Sequence, residues 1–62
     1  MNTFDRALAL HNQGELAAAL PLYRQIVAAA PDDADALNQL GVLLAESGRP
    51  REGEDFIRRA LA

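Results

Sequence analysis

Laid against itself with an offset of 34 residues, the chain sets Leu10 on Leu44, Gly14 on Gly48, Arg24 on Arg58 and Ala28 on Ala62. Ala7/Gly41, Leu22/Phe56, Tyr23/Ile57 and Val27/Leu61 are pairs of similar character at the same offset. This self-similarity narrows the folds open to the chain, because a repeated supersecondary unit cannot bury its apolar face alone and must stack on its neighbour. In a sequence so rich in Ala and Leu the apolar coincidences are weak evidence, and the glycine pair is the informative one.

Local signals divide the chain into four helical stretches. The first runs from Asn2 or Thr3 to His11, with Asn2 as N-cap and Asp5 three residues on, as in a capping box. Gly14 stops it, since glycine takes the left-handed conformation after a helix without steric cost. The second covers Glu15 to about Ala29, with Pro31 beyond its end. Asp32 and Asp33 are the candidate caps of a third helix over about Ala34 to Glu46, which Gly48 ends. Pro50 suits the first position of a fourth, whose acids Glu52, Glu54 and Asp55 and bases Arg58 and Arg59 match the helix dipole.

Apolar residues recur at helical spacing in Leu37, Leu40, Gly41 and Leu44, and again in Gly53, Phe56, Ile57, Ala60 and Leu61. No stretch alternates with period two, so the reading is all-α. Pro21 falls inside the second stretch, where it removes a hydrogen bond and crowds the carbonyl of Ala17. The phase of Leu16, Leu20, Tyr23 and Val27 across it predicts a kink, with two short helices as the alternative. Gly41 and Gly53 each cost about 1 kcal/mol against Ala inside a helix, which calls for close approach of the third and fourth helices, with sequence drift in a tolerant helix as the alternative.

Composition limits the functions. At 62 residues and a net charge of −3, with six arginines and no lysine, the chain has room for one small domain and lacks a basic stripe for nucleic acid. It contains no cysteine, hence no disulfide, thiolate metal site or cysteine nucleophile. The early Asn2, Asp5 and Arg6 break up any apolar signal segment, and no run approaches the 20 or so apolar residues of a membrane span. The expectation is a soluble cytoplasmic protein with no cofactor and no metal. Heavy use of Ala and Arg with no Lys points to a GC-rich bacterial source.

Nor do the polar residues assemble a catalytic set. With one Ser, one Thr, one Tyr, one His and no Cys or Lys, no nucleophile, base and orienting group can be singled out. His11 reads as a partly exposed residue near a helix C-terminus. Asp32, Asp33 and Asp35 lack the spacing and the glycine of a calcium loop, and read as capping residues. Arg49, Arg51, Arg58 and Arg59 are interleaved with Glu52, Glu54 and Asp55, so they read as a solvated, ion-paired face.

Together these residues resemble the tetratricopeptide repeat, a helix-turn-helix unit of about 34 residues with signature W-x2-L-G-x2-Y, A-x3-F and P. The chain has Leu37-x2-Leu40-Gly41-x2-Leu44 followed by Gly53-x3-Ile57, and Ala19-x3-Tyr23 followed by Pro31. The opening matches less well, because Thr3 and Arg6 stand at two of the four signature places occupied by Thr3, Arg6, Ala7 and Leu10. Leu37 also replaces the family's large aromatic, and Leu10 and Leu44 its tyrosine.

The resemblance implies antiparallel helix-turn-helix pairs stacked as a short right-handed α-solenoid: one domain of two units, about residues 1–33 and 34–62, the last truncated and uncapped. It also implies a concave face lined by the first helix of each unit. Phe4, Asp5, Leu8, His11 and Asn12 would face it from the first unit, and Asn38, Gln39, Val42, Ala45 and Glu46 from the second. Family members hold peptides there, some through a Lys/Asn/Arg clamp on a terminal carboxylate. Asn38 suits hydrogen bonding to a ligand backbone, but Asp5, Asp35 and Glu46 make the groove acidic and favour a neutral or basic segment. The fourth helix would leave Phe56, Ile57, Ala60 and Leu61 partly uncovered, which marks an interface. The expected function is a non-catalytic module that binds protein or peptide partners and forms homo-oligomers through this helix, with no nucleic-acid or membrane partner. The alternative is a piece of a longer array serving a larger, possibly enzymatic protein.

Overall fold

The computed structural model describes residues 2–62 and consists of four α-helices: α1 (Thr3–Asn12), α2 (Leu16–Ala29), α3 (Ala34–Glu46) and α4 (Pro50–Leu61). Each packs against the next in the chain, in a slab of 28 × 25 × 14 Å. The ends of the helices follow from local chemistry. Asn2 accepts from the Asp5 backbone N–H at 2.8 Å, and Asp33 accepts from that of Ala36 at 3.1 Å. Of the two candidate caps before α3, Asp33 is therefore the one used.

The glycines of the repeat terminate α1 and α3 in the same way. Gly14 and Gly48 have φ of +80° and +84°, which L side chains rarely adopt. Behind them Glu15 N–H reaches back to the Leu10 carbonyl at 2.9 Å, and Arg49 N–H to that of Leu44 at 2.8 Å. Gly14 and Gly48 donate in turn to His11 and Ala45. This is the double back-bonded cap that satisfies the last carbonyls of a helix. The identities Leu10/Leu44 and Gly14/Gly48 thus mark one capping device used twice.

Two boundaries differ from expectation by a residue. Helix α1 continues through Asn12, and Glu15 stands ahead of α2 with no side-chain capping bond, so it does not occupy the first turn. The cap explains both shifts, because its back-bonds draw Gln13 to Glu15 over the end of α1. Helix α2 runs unbroken through Pro21, against the two-helix alternative. Ala17 and Pro21 are both exposed, so the carbonyl that loses its partner stays within reach of water.

The core is aliphatic, with one aromatic. Tyr23, Leu37, Leu40, Leu43 and Leu44 are the largest fully buried side chains, joined by Ala7, Ala19 and Ala36. Helix α3 supplies most of them because it packs against both α2 and α4. Gly41 and Gly53 mark where α3 and α4 meet: a Cβ on Gly41 would lie 2.6 Å from the Gly53 carbonyl oxygen and 2.5 Å from Ile57 Cγ1. A Cβ on Gly53 would run into the Gly41 carbonyl oxygen. Close backbone approach is the reason both glycines sit inside helices. At the matching positions 34 residues earlier, Ala7 and Ala19 are both fully buried.

Candidate functional site

The polar centre of the molecule joins three helices. His11, in the last turn of α1, places Nδ1 3.0 Å from the Tyr23 hydroxyl of α2 and Nε2 2.5 Å from Glu46 Oε1 at the end of α3. A carboxylate can only accept, so a neutral His11 donates from Nε2 to Glu46 and accepts at Nδ1 from the Tyr23 hydroxyl. The phenol needs such a partner because the Tyr23 side chain is wholly buried. Burial, and secondarily the negative charge of Glu46, push the Tyr23 pKa above its ordinary value of 10.0. Phe4 and His11 both meet the Tyr23 ring edge-on, with centroids 6.2 and 5.8 Å away.

His11 is the partly exposed residue in the last turn of α1 that its position suggests, and the structure adds partners that the position does not show. Its side chain is 9% exposed, and both ring nitrogens are engaged across helices. The signal available in sequence was Tyr23, a phenol on an apolar helix face that must find a hydrogen-bond partner. Nothing local pointed to His11, 12 residues away, as that partner.

The other residues read as a binding face are carried by the same two helices, α1 and α3. On α1, Asp5 and Asn12 are exposed, while Phe4 and Leu8 are half-buried and pack against the core. On α3, Asn38, Val42, Ala45 and Glu46 are exposed and Gln39 is half-buried. The contact of His11 with Glu46 brings the C-terminal ends of α1 and α3 side by side. Asp5, Asp35 and Glu46 are the acids of these two helices.

A second surface lies on α4. Its Gly53 is buried and Phe56, Ile57 and Ala60 are half-buried, whereas Leu61 is 83% exposed. Arg59 lies over the Phe56 ring, 5.2 Å from its centre, and Arg58 donates to the carboxylate of Glu54 one turn earlier. Charge pairing on this helix is therefore with itself. Among the described residues no three His, Cys, Asp or Glu side chains are gathered so as to hold a metal ion, and no helix is long and apolar enough to cross a membrane.

Residues 10–62 match the sequence model of the tetratricopeptide repeat. The chain belongs to the tetratricopeptide repeat family. The match begins after Thr3 and Arg6, the residues at which the opening departs from the signature. Repeats of this family generally serve protein–protein interaction. No curated protein matches the chain, and no solved structure does.

Proposed function

We propose that this tetratricopeptide repeat chain is a non-catalytic interaction module of two units, about 1–33 and 34–62. It would hold a neutral or basic protein segment against α1 and α3, and self-associate through α4. The observation that carries the binding reading is the pairing of α1 and α3 through His11 and Glu46, together with the exposure of Asn12, Asn38, Val42 and Ala45 on these two helices. Backbone groups of a bound segment could be met by Asn38, its apolar side chains by Val42, and its cations by Asp5 and Glu46.

The test is binding of fluorescent peptides of matched length and basic, neutral or acidic composition, followed by anisotropy. Basic and neutral peptides should bind and acidic ones should not, with Asn38→Ala and Val42→Asp each weakening capture. Preference for acidic peptides, or binding indifferent to both substitutions, would refute the assignment. For α4 the supporting observation is the cover missing from Leu61, against half-burial of Val27 at the matching place on α2. The alternative, a stretch of a longer array within a larger protein, draws on the same feature, since a following helix would also cover Leu61.

A further inference from the structure

The 34-residue offset relates the junction inside the molecule to its two outer ends. Inside, α2 and α3 close on a shared core to which Leu20, Val27, Leu40, Leu43 and Leu44 contribute. Shifted by 34, the α2 side of this junction becomes the outer side of α4, where Glu54 replaces Leu20 and Leu61 replaces Val27. The α3 side becomes the outer side of α1, where Arg6 replaces Leu40, Ala9 replaces Leu43 and Leu10 replaces Leu44.

Burial changes in step. Leu40 and Leu43 are 1% and 0% exposed, whereas Arg6 is exposed and Ala9 half-buried; Val27 is half-buried, whereas Leu61 is 83% exposed. In sequence the two ends thus correspond to the halves of the inner junction, and among the described residues no helix packs on either outer side. Two of these replacements bring in charge, and the charges are complementary: where the junction has the apolar residues Leu20 and Leu40, the tail carries an acid and the head a base. Among the described residues Arg6 has no ion-pair partner within the chain, while Glu54 pairs only with the exposed Arg58.

We infer that the occupant of the outer face of α4 is α1 of a second copy of this chain, docked head to tail as α3 docks on α2. Arg6 of that copy meets Glu54, and Ala9 and Leu10 cover Ile57 and Leu61. This rests on the self-association proposed above and specifies its geometry. The contact is heterologous, so each added copy leaves a new head and a new tail, and assembly proceeds past the dimer to rings or short filaments. A contact of α4 with itself would instead stop at two copies.

Analytical ultracentrifugation of the full chain from micromolar to millimolar concentration tests this, with circular dichroism verifying that each variant is folded. The wild type is expected to form species beyond the dimer. Arg6→Glu and Glu54→Arg should each weaken association by about tenfold or more, since each sets like charges face to face. An equimolar mixture of the two, and the double variant, should regain it. Leu61→Asn should weaken association with no rescue by mixing. A wild type that stays monomeric at millimolar concentration overturns both this inference and self-association. A dimer that ignores Arg6→Glu but responds to Glu54→Arg overturns the head-to-tail geometry and leaves self-association standing. Failure of the mixture and of the double variant to recover overturns the pairing of residues 6 and 54.

Discussion

Replacing Gly41 by Ala probes the close approach of α3 and α4. A methyl at this position would lie 2.6 Å from the Gly53 carbonyl oxygen, whereas ordinary contact begins at 3.4 Å. Helices α3 and α4 must therefore part locally by about 0.8 Å, the difference of those distances. The Ile57 side chain, 2.5 Å from the same methyl, can turn away, but the backbone oxygen cannot. Overpacking of this kind costs about 1–3 kcal/mol. Against it stands the better helix propensity of Ala, worth about 1 kcal/mol. Because the obstructing atom is backbone and cannot turn away, the strain falls in the upper part of that range, about 2–3 kcal/mol, and the expected net loss is about 1–2 kcal/mol.

For a domain this small each 1 kcal/mol moves the midpoint by about 4–8 °C, so the loss should lower Tm by roughly 4–16 °C. Circular dichroism at 222 nm during thermal and urea unfolding measures it. Gly53→Ala should behave alike, and the double variant should cost less than the sum because the helices need part only once. A Gly41→Ala protein as stable as the wild type, or more stable by the propensity term, would refute close approach as the reason for the glycines.

Tyr23 is the only tyrosine in a chain without tryptophan, so its ionisation can be followed directly at 295 nm. Its folded pKa lies above the ordinary 10.0, so the folded state holds the phenolic proton more tightly than the unfolded state. The corresponding stability is complete below about pH 10 and drains away as pH rises from there through the folded value; a titration midpoint at or below 10 would contradict the burial of this phenol. Tyr23→Phe should abolish that alkaline decline while losing about 1 kcal/mol near neutrality, measured by urea unfolding, because His11 Nδ1 forfeits its donor. His11→Ala should cost more than Tyr23→Phe, since it also removes the link to Glu46 and leaves the phenol buried without a partner. Pro21→Ala should stabilise α2, by at most about 3 kcal/mol, by restoring the bond to the Ala17 carbonyl; an unchanged or lower Tm would show that α2 accommodates proline without penalty.

What the sequence determined alone is what lies within a few residues along the chain. The caps at Asn2 and at Asp32 or Asp33, the stops at Gly14 and Gly48, the start at Pro50 and the apolar stripe of Leu37, Leu40 and Leu44 rest on hydrogen bonds and helical periods spanning three to five positions. Gly41 and Gly53 were legible for a related reason: glycine is costly inside a helix and so signals the contact that requires it. The His11, Tyr23 and Glu46 chain was not legible, because its members stand 12 and 35 residues apart and meet only once three helices have packed. No spacing rule connects them. Tertiary structure alone decided that His11 joins the helices together, and that of the four α4 residues expected to be uncovered Leu61 stays open while Phe56, Ile57 and Ala60 are half-buried. Burial depends on which helix lies alongside, and a residue's own neighbours in sequence do not carry that information.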